Sequence, residues 1–113
     1  MNEENRCLIK DGVLIKFAGG GHVTVPHGVR RIEKEAFFFQ TDITSISLPE
    51  TLTEIGARAF VGCEGLTGIA LPQGVTRLER GVFDKCSRLK DVTLPKTLTE
   101  IGAEAFSECM CGI

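Results

Sequence analysis

The sequence predicts an α/β repeat solenoid, a coil in which short parallel strands and one short helical or 3-10 turn recur in every repeat. Two observations predict it. Apolar residues recur at fixed distances from each proline, while the positions between them vary. The four prolines follow one another at intervals of 23 residues: Pro26, Pro49, Pro72 and Pro95. One such unit cannot bury its own apolar face, so successive units must stack to form a continuous core.

An alternating apolar pair comes before each proline and predicts a strand with its apolar side inward. These pairs are Val23 and Val25, Ile46 and Leu48, Ile69 and Leu71, and Val92 and Leu94. Copies from successive turns are expected to lie parallel and about 4.8 Å apart, and proline ends each strand because it has no N–H for the ladder. Eleven residues after each proline stands a phenylalanine, and this column is expected to stack inside: Phe37, Phe60, Phe83 and Phe106.

The second half of each repeat returns the chain to the next strand. Residues 52–56, Leu-Thr-Glu-Ile-Gly, are expected to turn onto the opposite face, where a second short strand could form. Residues 57–60 are rich in alanine and are soon followed by Gly62, which favours one helical or 3-10 turn.

These motifs resemble the BspA-like subfamily of bacterial leucine-rich repeats. The shared order L-P-x-x-L-T-x-I-G-x-x-A-F is matched almost fully by residues 48–60 and 94–106. The other two repeats depart from it at a few positions: Glu33 and Glu79 replace Gly, Gln40 replaces Cys, and Val82 replaces Ala. The resemblance implies a right-handed leucine-rich repeat superhelix, a bacterial origin and, for many members, adhesion at the cell surface.

Residues 1–22 form the N-terminal segment, and residues 23–113 form four leucine-rich repeats of 23 residues, the last one incomplete. Asp11-Gly12 lies between two apolar runs in residues 7–17, which is a strong signal for a two-residue β-hairpin. This hairpin is expected to cap the solenoid. Gly19-Gly20-Gly21 is expected to give a flexible passage into the first strand, because the sequence lacks the G-x-x-x-x-G-K-[ST] pattern of a phosphate loop.

The fourth repeat is expected to present an uncovered apolar side, since no polar capping element follows Cys109. That side comprises five residues: Val92, Leu94, Leu98, Ile101 and Phe106. An open strand edge invites pairing with another chain. Either the chain forms a homodimer through this end, or it is cut from a longer array. A weaker third alternative is a monomer whose last residues fold over the end.

Composition gives no reason to expect nucleic acid or membrane insertion. The net charge is −2, and no stretch approaches the roughly 20 apolar residues that a membrane span needs. The N-terminus does not resemble a signal peptide, which predicts a cytoplasmic chain as the sequence stands, or a secreted or cell-surface one if a signal has been removed. Five cysteines without disulfide-framework spacing favour free thiols in a reducing compartment.

The polar and sulfur-containing residues are interpreted structurally, so the sequence predicts no catalytic residue, cofactor or metal site. Cys63, Cys86 and Cys109 recur once per repeat, which spreads their thiols along the axis, whereas zinc ligands converge on one point. The pair Cys109-x-Cys111 lies far in sequence from both histidines. His22 and His27 have no nucleophile at a suitable spacing, and the glutamates recur because the repeat recurs.

Three surfaces are candidates for binding a protein partner. The open end ranks first. Phe38 and Phe39 rank second, because they break the repeat pattern: local packing is the preferred interpretation, and an exposed aromatic contact is the alternative. The exposed sheet face ranks third because its residues are small and mostly uncharged: Thr24, His27, Ser47, Glu50, Ala70, Gln73, Thr93 and Lys96. The leading functional hypothesis is a non-enzymatic protein–protein interaction module, and the alternative is a structural array that self-associates.

Overall fold

The computed structural model describes residues 6–109, which fold into a β-solenoid of about four turns. Ten strands follow one another along the chain: β1 (Arg6–Lys10), β2 (Val13–Ala18), β3 (Gly21–Thr24), β4 (Arg31–Ile32), β5 (Ile43–Ser47), β6 (Glu54–Ile55), β7 (Gly68–Ala70), β8 (Arg77–Leu78), β9 (Asp91–Thr93) and β10 (Glu100–Ile101). Each turn contributes one strand just before its proline and a shorter one just after it. The second strand that the sequence left open is therefore present in every repeat.

The strand before each proline belongs to a four-stranded parallel sheet in the order β3-β5-β7-β9, called here the front sheet. Successive repeats are in register, so Val23 lies beside Ile46 and Ile69 beside Val92. The inward residue of each strand is apolar, buried in β3, β5 and β7 and half-buried in β9, and its outward neighbours are polar or small. This confirms the alternation predicted from the sequence.

The short strands after the prolines form the opposite side of the coil, called here the back sheet. It has two parts: a four-stranded part in the order β1-β2-β4-β6 and a two-stranded part made of β8 and β10. Strands β1 and β2 pair antiparallel, and β2 pairs parallel with β4, so the predicted hairpin extends the back sheet. Asp11 and Gly12 occupy its turn with φ angles of 53° and 80°, as a tight hairpin turn requires.

The segment between the back and front sheets is called here the corner, and it is not helical in any described repeat. The expected helical or 3-10 turn is therefore not confirmed. Two residues per corner adopt positive φ, which interrupts a right-handed helix: Arg58 (56°) and Gly62 (73°) in the second repeat, and Glu35 (59°) and Phe39 (51°) in the first. The corner is consequently a pair of tight turns.

The core is a column of phenylalanines flanked by aliphatic side chains from both sheets. Ring centroids of successive phenylalanines lie 4.9 Å (Phe17–Phe37), 4.8 Å (Phe37–Phe60), 5.4 Å (Phe60–Phe83) and 5.6 Å (Phe83–Phe106) apart, all stacked. The predicted aromatic column is confirmed, and Phe17 of the hairpin adds a ring at its N-terminal end. The hairpin therefore covers the first repeat with a matching apolar surface.

The glycine triplet before β3 is held by specific contacts, which corrects the expectation of a flexible passage. The Gly19 N–H donates to Oε1 of Gln40 at 3.3 Å, and the Gly21 N–H donates to the Asp42 carbonyl at 2.9 Å. A Cβ atom at Gly20 would lie 2.7 Å from that of Asp42. Glycine is needed here because two backbone segments approach closely, and not because the chain must move.

Candidate interaction surfaces

The exposed face of the front sheet is a ladder of small polar side chains. Its register places Thr24 beside Ser47 and Ala70 beside Thr93, and all four side chains are exposed. A second exposed column follows the prolines: His27, Glu50, Gln73 and Lys96. Short side chains at strand spacing make a level surface on which a partner could lay an extended contact.

A hydrogen-bonded histidine organises the N-terminal part of this face. Nδ1 of His22 lies 2.6 Å from the hydroxyl of Ser45, and Nε2 lies 3.3 Å from the hydroxyl of Ser47. Both ring nitrogens therefore have hydroxyl partners, which fixes the plane of the imidazole. Sequence reasoning missed this group, although His22 and Ser45 are 23 residues apart and so occupy equivalent positions of neighbouring repeats.

Phe38 and Phe39 form an exposed aromatic pair at the first corner. Their rings meet edge to face with centroids 4.7 Å apart, and the two residues are 43% and 42% exposed. Phe39 also packs locally, since its ring lies over Gly62, where any Cβ atom would collide with it. Both rings are thus exposed, and Phe39 also makes the local packing contact that was the preferred interpretation. A rigid aromatic pair in solvent is a suitable anchor for a protein interface.

The apolar side of the fourth repeat is only partly exposed. Ile101 is 50% exposed, whereas four residues pack against the core and are half-buried: Val92, Leu94, Leu98 and Phe106. Within residues 6–109, β9 and β10 are edge strands of their sheets. Their outer backbone groups are thus turned toward whatever lies beyond the fourth repeat.

The cysteine column is built into the core. Cys63 and Cys86 are fully buried and Cys109 is half-buried, and each thiol donates to the backbone carbonyl of a phenylalanine in the previous repeat. These sulfur–oxygen distances are 3.3 Å to Phe37, 3.0 Å to Phe60 and 3.1 Å to Phe83. A hydrogen bond with the Cys63 side chain, together with burial, raises the pKa of the Cys86 thiol far above its ordinary value.

This arrangement connects successive turns. The raised pKa keeps the Cys86 thiol protonated, so it is a poor nucleophile. Among residues 6–109, no three His, Cys, Asp or Glu side chains converge to hold a metal ion. Cys111, the second member of the predicted pair with Cys109, lies outside the described residues.

The charged residues of the back sheet form exposed ion pairs. Arg31 lies 3.4 Å from Glu33 and 3.3 Å from Glu54, and Arg77 makes the matching pairs with Glu79 and Glu100 at 3.2 and 3.3 Å. Exposed pairs of this kind contribute little to stability. The described part of the chain contains no helix of a length and apolarity that would cross a membrane.

Comparison with known proteins agrees with the 23-residue geometry. The sequence model of a protein family, described as the BspA type leucine-rich repeat region (6 copies), matches residues 20–112. The chain belongs to the BspA-type leucine-rich repeat family. No curated protein matches it. Proteins with BspA-type repeats are generally non-enzymatic, and many are associated with the cell surface.

Two solved structures of bacterial leucine-rich repeat proteins share this architecture. The T. pallidum leucine-rich repeat protein is 31% identical with a TM-score of 0.81, and the match covers 88% of this BspA-type chain and 49% of that one. A leucine-rich repeat protein from Bacteroides ovatus is 27% identical with a TM-score of 0.68, and the match covers 75% and 24% of the two chains. The matched region thus spans about half of the first protein and a quarter of the second.

Proposed function

We propose that this chain is a non-enzymatic module that binds a protein partner through the exposed face of its front sheet and the adjoining Phe38–Phe39 pair. The observation that carries the proposal is the pairing of a level polar surface with a rigid exposed aromatic pair. Repeat solenoids generally use extended sheet surfaces for binding. The front face lacks large side chains of its own, so the two rings supply the apolar contact area that a specific interface needs.

We propose further that the partner is met at the bacterial surface, in an adhesion-related role. The support is the family, many of whose members are associated with the cell surface. Surface display requires a secretion signal on the natural precursor of this chain. Fractionation of the native organism, followed by detection of the chain in the cytoplasm or in the surface fraction, tests this part of the proposal separately from binding.

Site-specific photo-crosslinking tests the binding face. A benzophenone amino acid replaces Phe38 in one variant, Ala70 in a second and Lys34 in a third, where Lys34 is an exposed control on the other side of the coil. The proposal expects one specific adduct from positions 38 and 70 and none from position 34. Equal labelling from all three positions, or none from the first two, contradicts it.

A second candidate function is self-association through the open end of the fourth repeat. The exposure of Ile101 and the edge position of β9 and β10 favour it. An edge strand that pairs with its counterpart in a second copy would join the two sheets and make a homodimer. Light scattering is expected to show a dimer in the unmodified chain and a monomer after Ile101→Lys. A strictly monomeric unmodified chain rules this candidate out.

A further inference from the structure

The four repeats alternate between two kinds. The second and fourth repeats carry threonines at the second and fourth positions after proline and a glycine at the seventh: Thr51, Thr53 and Gly56, then Thr97, Thr99 and Gly102. The first and third repeats carry Gly28 and Gly74 at the second position and Glu33 and Glu79 at the seventh. At the second and seventh positions after proline the period is therefore two repeats, and the contacts between turns on the back side alternate with it.

The second repeat is bonded tightly to the first on the back side of the coil. The Thr51 hydroxyl donates to the Val29 carbonyl at 2.8 Å, and the Thr53 N–H donates to the Arg30 carbonyl at 2.9 Å. A further bond of 2.8 Å joins the Gly56 N–H to the Ile32 carbonyl. Glycine permits this approach, because a Cβ atom at position 56 would lie 2.5 Å from the backbone nitrogen of Lys34.

The fourth repeat is bonded to the third in the same way. The Thr97 hydroxyl donates to the Gln73 carbonyl at 2.6 Å, and the N–H groups of Thr99 and Gly102 donate to the carbonyls of Thr76 and Leu78, both at 2.8 Å. At position 102, too, a Cβ atom would lie only 2.8 Å from the backbone of the preceding repeat, at the nitrogen of Arg80.

The corresponding bonds are missing between the second and third repeats, although both lie within the described residues. Strands β6 and β8 do not pair, and the N–H groups of Thr76 and Glu79 donate to no backbone carbonyl of the described residues. On the front side β5 and β7 still pair, and the Thr67 N–H donates to the Thr44 carbonyl at 3.4 Å. The Leu48 N–H, however, lacks the bond that Val25 makes to Ser47 and Leu71 to Thr93, both at 3.0 Å. The unbonded line between β6 and β8 is called the seam.

Two openings lie along the seam. A groove of about 320 Å³ on the back side runs across Glu54, Gly56 and Arg77, and a second of about 390 Å³ lies beside Pro72 and Gly74. A groove of about 360 Å³ also lies over the bonded junction of the third and fourth repeats, so the missing hydrogen bonds, and not the grooves, distinguish the seam. The corner, by contrast, stays closed. The N–H groups of Arg58, Phe60 and Gly62 donate to carbonyls of the third repeat at 3.0, 2.9 and 2.9 Å. The contact between the two repeats thus lacks hydrogen bonds at the back sheet, while the corner and the β5–β7 pairing hold it together, as in a hinge.

We propose that the two turns containing β3 to β6 and the two turns containing β7 to β10 are double-repeat units that bend relative to each other about the corner, opening and closing the seam between β6 and β8. Each unit is held by its threonine bonds and by the close approach at its glycine. Bending at the seam changes the curvature of the front sheet, because this sheet continues from one unit into the other.

Native-state hydrogen exchange tests the hinge. The amides of Thr76 and Glu79 are expected to exchange about a hundredfold faster than those of Thr53 and Gly56, which hold the same positions one repeat earlier. The amide of Phe60 at the corner is expected to remain as protected as that of Gly56. Equal exchange rates at the four back-sheet amides overturn the proposal. So does exchange of the Phe60 amide as fast as that of the Thr76 amide.

Two double variants test whether the threonine and glycine residues cause the difference in bonding between the repeats. Gly74→Thr with Glu79→Gly gives the third repeat the residues of the second and fourth, since Thr76 is already present, and is expected to slow exchange at Thr76 at least tenfold. Thr97→Gly with Gly102→Glu removes the same features from the fourth repeat and is expected to speed exchange at Thr99 by a similar factor. Unchanged exchange in a folded variant overturns the proposal, and if the first variant does not fold, the second decides.

Discussion

Replacement of Phe60 by alanine tests whether the aromatic column holds the solenoid together. The Phe60 side chain is fully buried, and its ring stacks on Phe37 at 4.8 Å and on Phe83 at 5.4 Å. Truncation of a buried phenylalanine costs about 3–5 kcal/mol, and each lost ring contact adds roughly 0.5–1.5 kcal/mol to the area term. We expect Phe60→Ala to lower the free energy of unfolding by about 4 kcal/mol, a large part of the roughly 5–15 kcal/mol typical of a domain.

Urea unfolding followed by far-UV circular dichroism is the suitable assay, because the chain has no Trp or Tyr to report by fluorescence. Phe38→Ala is the matched control: it removes the same atoms from a ring that is 43% exposed, and we expect it to cost less than about 1 kcal/mol. A loss below about 2 kcal/mol for Phe60→Ala, or equal losses for the two variants, would refute the reasoning.

Three further predictions concern the corner, the cysteine column and the ion pairs. Arg58→Gly, at φ 56°, is expected to raise the free energy of unfolding by about 0.5 kcal/mol, whereas Gly81→Ala, at φ 62°, is expected to lower it by about 1 kcal/mol in the same urea titration. A lower free energy of unfolding for Arg58→Gly, or a higher one for Gly81→Ala, would disprove the role of the left-handed corner residues. The raised pKa keeps Cys86 protonated in the folded state, while the unfolded thiol ionises near 9.0, so stability is expected to fall above pH 9 by up to about 1.4 kcal/mol per pH unit more than in Cys86→Ala. Identical pH profiles for the two proteins would contradict this. Arg77→Ala is expected to cost less than about 1 kcal/mol, and less still in 1 M salt, because its ion pairs are exposed; a loss above 2 kcal/mol would show that they are structural.

The strands and the core could be predicted from the sequence because their positions must repeat. Every turn presents the same apolar columns to its neighbours, so the period of Pro26, Pro49, Pro72 and Pro95 fixes which residues pair and which face inward. The hairpin at Asp11-Gly12 was equally predictable, since its turn requires positive φ at both residues.

The corner could not be predicted, because its backbone angles do not follow from residue type. Glu35, Arg58 and Glu104 adopt positive φ although none is glycine or asparagine, so only Gly62 and Gly81 hint at the turns. The same limit applies to the candidate binding surface. The sequence singled out Phe38 and Phe39, but whether they point inward or outward depends on the path of the corner.

The seam is a third case. The sequence shows the alternation of residues, but it does not show which contacts between turns are lost. The alternation of Gly56 and Gly102 with Glu33 and Glu79 is visible in the sequence. Which contacts it breaks depends on backbone separations of a few tenths of an ångström, which a pattern of residue types does not give.

The affinity of the photo-crosslinked partner for a surface variant tests the central claim most directly. The variant Phe38→Ser with Phe39→Asn removes both rings, and asparagine tolerates the positive φ of position 39. Calorimetry measures the affinity of the partner for the unmodified chain, for this variant and for the control Ile101→Lys. The comparison shows whether the exposed rings or the open end bind the partner. We expect the aromatic variant to bind at least about tenfold more weakly, a loss of about 1.4 kcal/mol, while Ile101→Lys binds as the unmodified chain does. Unchanged affinity in the aromatic variant would contradict the account.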